Sequence, residues 1–388
     1  MSQVRTLIHN GDIVTPEGVI SGGWLLLENG LIREIGSSSD PLPEGAGESV
    51  DAGGGWVLPG FIDIHVHGGY GHDFMDAGRE GLDAITRFHA SHGTTTMLAT
   101  TVTASKEAID GVLERVADYR SGDMPYAQLA GVHLEGPFIS VKWPGAQNPA
   151  FIVPPQTTWL DDWTSRYPGL VRMQTLAPET DGAPDYIRAL VQHGIVAACG
   201  HTDALYAQVQ AAADSGLSHA VHTFNAMRGL HHREPGTVGA VLTDERITAE
   251  VIADGHHVHA AGVRLLAQAK GDRGLVLITD AISAAGLGDG DYSLGGLDVV
   301  VRSGVARLKQ GDSLAGSTLT MDAALRFAVR EAGVSVPAAS RMASGNPARV
   351  LGLSGVTGEL AAGKQADAVL LSRELELQRV WIRGRAHG

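Results

Sequence analysis

The chain has 388 residues, a net charge of −14 and 44% apolar residues, enough to bury the core of one large α/β barrel plus a small domain. The acidic balance, with no Lys/Arg-rich run, argues against nucleic acid and anionic membrane as partners. The single cysteine, Cys199, excludes an internal disulfide and suits a reducing compartment. The opening MSQVRTLIHNGDIV has no charged-then-apolar leader, and no apolar run reaches the roughly 18 residues of a membrane span, so a cytoplasmic location is expected.

In chain order, short β-type runs come first: VRTLIHNGDIV, GWLLLENGLIREIG and SVDAGGGWVLPG. Turn signals at Asn10-Gly11, Asn29-Gly30 and Gly53-Gly55 separate them. This predicts a small antiparallel unit over 1–57. The C-terminal runs GELAAGKQADAVLLS and LELQRVWIRGR have the same character. The two chain ends, 1–57 and 355–388, are therefore expected to build one small β-sandwich domain, with residues 58–354 inserted between them.

From Phe61 apolar runs alternate with helical stretches. Eight strands are predicted, at 61–67, 95–101, 128–135, 171–178, 195–201, 219–225, 247–254 and 275–281. Helix-like segments such as EGLDAITRFHASHG and SKEAIDGVLERVADY lie between them. Near-continuous apolar strands alternating with helices imply a parallel sheet, and eight units imply a (β/α)8 barrel with function at the C-terminal strand ends. The stretch 286–315 predicts a β excursion after the last strand.

Polar residues then fall where that barrel would carry a site. Strand one ends in His65 and His67, which share a face by alternation. Later strands bring Glu135 in HLEGP, His201 in GHTDA, His222 in HTFNAM and Asp280 in TDA. Four imidazoles and two carboxylates form a ligand set for zinc, manganese or iron. Each residue alone reads more often as a bonded core or loop histidine, a cap or a turn residue than as a ligand; the metal reading rests on all six falling at one barrel mouth. His133 shares the face of Glu135 one layer deeper and reads as interior packing or a supporting hydrogen bond. His9, His89, His92, His193 and His387 lack strand-end context and read as surface residues. Cys199 reads as a small buried apolar residue.

These motifs, together with PGFIDIHVHG, REPG, ADGHHV, LAGSTLTM and GELAAGKQADAV, resemble the amidohydrolase superfamily over essentially the whole length. The likeness is specifically to the N-acetylglucosamine-6-phosphate deacetylase family. The resemblance implies one divalent ion on Glu135, His201 and His222. It implies a second on His65, His67 and Asp280, with Glu135 bridging. Zinc is favoured, with iron, manganese or cobalt as alternatives, one or two per chain. Asp280 is implied as the acid/base for a metal-activated water.

The substrate-side positions implied are Gln147, Asn225, the Ala226 backbone, Arg233, His257 and Leu314, with Arg233 supplied by the neighbouring subunit of a homodimer. The substrate would be a phosphorylated amino sugar. Gln147 stands where the family usually carries a histidine, and Trp143-Pro144 replaces a more basic stretch. Another N-acetylated substrate, such as N-acetylgalactosamine 6-phosphate, and an inactive barrel used for binding are the competing readings.

Overall fold

The computed structural model describes residues 5–45, 47–311 and 313–387; the expected outer limits of the small domain, at residues 1 and 388, lie outside these. Eight parallel strands follow one another around a barrel: Phe61–Asp63, Thr94–Thr101, Gln128–Glu135, Val171–Leu176, Val196–Cys199, His219–Ala220, Thr248–Ile252 and Leu275–Ile278. The second is buried at all eight of its positions, as a parallel strand covered on both faces must be. The first seven are each followed by an outer helix, beginning with Arg79–Ala90 and Lys106–Ser121. After the eighth, a three-stranded sheet precedes the helix Met321–Arg330.

The seam between the first and last strands is held by backbone bonds just beyond their ends. Asp280 N–H donates to His65 O at 2.9 Å, and His67 N–H to Ala281 O at 2.8 Å. Below them the buried Asp63 carboxylate accepts from the Thr279 hydroxyl at 2.6 Å.

Several strands end earlier than the sequence pattern predicts: the first at Asp63 rather than 67, the fifth at Cys199, the sixth at Ala220 and the eighth at Ile278. The reason for the last three is backbone conformation. His201, His222 and Asp280 have φ of 47°, 28° and 52°, and a left-handed residue cannot continue a ladder.

Both chain ends contribute to one further sheet. Strand Ala368–Leu371 pairs antiparallel with Trp56–Pro59, and Leu377–Ile382 lies beyond it. Ile8, Ile13, Leu25, Val57, Ala368 and Trp381 form its core. The N-terminal part is not wholly antiparallel, as expected from its turns. Glu48–Asp51 and Trp56–Pro59 both run parallel to Arg5–Thr15, because the long link after Leu31–Gly36 lets the chain cross over before returning.

The excursion after strand eight is Gly290–Leu294, Leu297–Arg302 and Val305–Leu308, paired antiparallel. Leu294, Val299 and Val301 pack against Val102, Ile282 and Ala284. This brings Leu294 and Leu314 to the barrel mouth. Among the described residues, no helix is long and apolar enough to cross a membrane.

Candidate metal centre

The end of the third strand and the residues just beyond the ends of four others place all six expected ligands, all buried, around one point. Glu135 closes the third strand. Gly136 follows at φ +80°, where a Cβ would lie 2.2 Å from Thr103 Oγ1, so only glycine lets the chain turn away. Glu135 Oε1 lies 3.1 Å from His201 Nε2 and 3.0 Å from His222 Nε2, which are themselves 3.1 Å apart. Its Oε2 is 3.3 Å from His67 Nε2, and Oε1 is 3.3 Å from His65 Nε2. Asp280 Oδ1 lies 3.1 Å from His67 Nε2 and 3.6 Å from His65 Nε2.

Donor atoms bound at 2.0–2.1 Å to one tetrahedral ion sit about 3.3 Å apart, so this spacing fits a shared cation. The donors of His65, Glu135 and His222, and those of His65, His67 and Asp280, lie within 4.8 Å of one another. His65 Nε2 is buried and has no hydrogen-bond partner, as a nitrogen reserved for an ion would be. The cluster is thus able to hold a metal ion.

The electrostatics point the same way. Burial pushes Glu135 up, but His65 and His201 outweigh it and hold the carboxyl well below its ordinary range. Asp280 is likewise lowered against burial by His65 and His67. Burial pushes His67 down, yet Asp280 and Glu135 hold it up at about 10. The cluster therefore favours positive charge at its centre.

The neighbouring histidines differ. His133 Nε2 bonds the Thr175 hydroxyl at 2.8 Å, and burial, reinforced by His65, lowers it to about 3. It is neutral and packs edge-on against His65. His89 is a correction: it is fully buried, not at the surface, with Nε2 at 2.9 Å from Gly68 O. Its helix turns it inward beside Leu82 and Ile85. Cys199 is buried, and burial pushes its thiol up to about 12, so it is no nucleophile.

A pocket of about 410 Å³ opens over the cluster, lined on the substrate side by Gln147, Asn225, Ala226, His257 and Leu314. Gln147 is also tied to the cluster, donating from Nε2 to Glu135 Oε2 at 2.6 Å. Its Oε1 accepts from Thr103 N at 2.6 Å. His257 Nδ1 bonds Asp254 at 2.6 Å, leaving its other nitrogen for a ligand. Arg233 is exposed beside His232 and does not line the pocket of its own chain.

Three contacts escaped sequence reasoning. Glu250 is fully buried between His65 and His219. Asp203, in GHTDA, gathers Lys142, Trp143 and Arg228 at 2.7–2.9 Å. The Trp143 carbonyl accepts from His201 Nδ1 at 3.1 Å, orienting that ring. Asp203, in GHTDA, and Trp143, beside Pro144, lay in stretches the sequence marks; Glu250 did not.

Comparisons agree with this geometry. A profile described as amidohydrolase family matches residues 56–386. The chain is 42% identical over 372 residues to N-acetylgalactosamine-6-phosphate deacetylase of Escherichia coli O157:H7, covering 96% of each. It is 39% identical over 381 residues to N-acetylglucosamine-6-phosphate deacetylase of Bacillus subtilis (strain 168), covering 97% and 96%. A mutant of the Mycobacterium smegmatis N-acetyl-D-glucosamine-6-phosphate deacetylase, in complex with N-acetyl-D-glucosamine-6-phosphate, superposes with a TM-score of 0.92 at 38% identity, over 100% of this chain and 99% of that one. The chain belongs to the amidohydrolase family and, within it, to the N-acetylglucosamine-6-phosphate deacetylase group.

Proposed function

We propose that this protein hydrolyses the acetamide of N-acetylglucosamine 6-phosphate to acetate and glucosamine 6-phosphate. The observation that carries the reading is four imidazoles and two carboxylates converging at the base of the pocket. Glu135, His201 and His222 would hold one divalent ion, and His65, His67 and Asp280 a second. Zinc suits the nitrogen-rich donors, with iron, manganese or cobalt as alternatives.

Such an ion, when bound, would supply a water acidified to a pKa of about 7 and an electrophile for the acetyl carbonyl. Asp280, ionised at the mouth, takes the proton of the attacking water and then delivers a proton to the departing nitrogen. Gln147 holds Glu135 in place while the loop that carries it shapes the acetamido end. His257, oriented by Asp254, and Asn225 offer donors to the phosphate. Arg233, exposed and outside the lining of its own pocket, suits a phosphate contact across a homodimer. The reading includes a barrel over 58–354, a small domain from 1–57 and 355–388, and a cytoplasmic location suited to one buried thiol.

The 42% identity to an N-acetylgalactosamine-6-phosphate deacetylase, with Gln147 at the acetamido end, favours the epimeric substrate as the second reading. Acetate release from both sugar phosphates and from unphosphorylated N-acetylglucosamine, with defined added metals, decides between them. Arg233→Ala is expected to raise KM for phosphorylated substrates alone; equal effects on the unphosphorylated sugar would remove Arg233 from phosphate binding. No acetate from any of them would refute the reading.

A further inference from the structure

We propose that Glu250 is a positioning residue of the metal centre: its carboxylate fixes the ring orientation and tautomer of His65 and braces the backbone of His222. The inference rests on the metal-binding reading above. Glu250 sits within the seventh barrel strand, Thr248–Ile252, and is fully buried. Its Oε2 accepts from His65 Nδ1 at 2.9 Å and from His222 N at 3.3 Å. Its Oε1 accepts from His219 Nε2 at 2.9 Å. One carboxylate therefore joins two of the six expected ligands from a third strand.

The tautomer follows from the bond. A neutral imidazole carries one proton. With that proton on Nδ1 and donated to Glu250, the lone pair of His65 lies on Nε2. That atom has no hydrogen-bond partner and faces Glu135 Oε1 at 3.3 Å and Asp280 Oδ1 at 3.6 Å. No other described acceptor bonds His65 Nδ1; His133 meets the ring edge-on at a centroid distance of 4.7 Å. A carboxylate on the far nitrogen also makes the ring a stronger ligand. Glu250 does not itself line the pocket and touches no atom expected to react, so its effect is transmitted through His65 and the His222 backbone.

The competing explanation is that Glu250 is simply an internal ion-pair partner of His219. Zinc titration of chelator-stripped protein separates the two, using wild type, Glu250→Gln and His219→Gln, with 15N-histidine spectra of the zinc-free forms. The spectra are taken at a pH high enough to leave His65 neutral, because against burial Glu135, Glu250 and Asp280 hold its proton. Glu250→Gln is expected to bind zinc about 10- to 100-fold more weakly and to show His65 as a tautomer mixture. His219→Gln, which spares the His65 bond, is expected to match wild type in both. Should Glu250→Gln not fold, Glu250→Asp, which keeps the charge but withdraws the oxygens, is expected to weaken zinc in the same direction. Wild-type affinity with an unchanged His65 tautomer in the Glu250 variant would overturn the proposal, as would equal weakening in His219→Gln. Failure of wild type to bind any metal would instead overturn the metal-binding reading itself.

Discussion

Replacing Gln147 by leucine removes both polar atoms at nearly constant volume, and the structure says what that costs. Gln147 is buried and satisfies two groups: the Glu135 carboxylate through its amide nitrogen and the Thr103 N–H through its oxygen, each at 2.6 Å. Stranding the buried Thr103 N–H costs about 1–3 kcal/mol, and losing the charge-assisted bond to Glu135, whose Oε2 keeps His67 Nε2 at 3.3 Å, costs a similar amount. The metal-free variant should therefore lose about 2–6 kcal/mol. A cation on Glu135 would satisfy its second oxygen, so the loaded variant should lose only the Thr103 share, about 1–3 kcal/mol. Urea unfolding of stripped and zinc-loaded protein, wild type beside variant, measures the difference. The variant should gain more stability from zinc than wild type does. An equal loss in both forms would show that the Gln147–Glu135 bond contributes nothing and that Gln147 serves the substrate alone.

Asp280→Asn should leave the fold and metal on Glu135, His201 and His222 intact while lowering kcat about 100- to 10,000-fold, or roughly 3–5.5 kcal/mol of barrier. Metal analysis beside acetate-release kinetics tests this, and near wild-type turnover would remove Asp280 from proton transfer. His89 predicts a pH effect. Burial, assisted by His92, lowers it to about 4 from an unfolded value near 6.5, although its bond to Gly68 opposes this. Between those values the unfolded chain holds the extra proton, so stability present above pH 6.5 is lost as pH falls towards 4, by about 3 kcal/mol. His89→Gln keeps a donor for Gly68 but does not titrate. Its stability relative to wild type should rise by about that amount from pH 7 to 4, and a gap independent of pH would contradict the assignment.

The six residues of the cluster were legible because each is a polar residue at the end of an apolar run, where a barrel gathers its strand ends. Glu250 was not, because it interrupts ITAEVIAD from within. A lone carboxylate in a strand gives no sign of the histidines that face it from positions 65 and 219. His89 had a signal that strand-end reasoning passes over: Leu82, Ile85 and His89 recur at helical spacing and share the buried face. The parallel pairing of Glu48–Asp51 with Arg5–Thr15 depends on a non-local register that turn residues do not encode.

The early strand ends carry a further meaning. Three of the six expected ligands, His201, His222 and Asp280, adopt left-handed backbone, which costs a non-glycine residue on the order of 1–3 kcal/mol. His201 and Asp280 are held there by bonds from other segments, and His222 by its own turn. Ser140 N donates to His201 O at 2.8 Å, Asn225 N to His222 O at 3.0 Å, and Ser317 N to Asp280 O at 2.7 Å. Two of those donors belong to segments that line the pocket, the loop of Trp143 and Gln147 and the turn of Asn225 and Ala226. The third follows Leu314 and Gly316, which line it from the other side. The peptide geometry that aims the ligands is thus maintained by the segments that would meet the substrate. A change in the substrate-side loops should therefore register at the metal cluster as well as in substrate affinity.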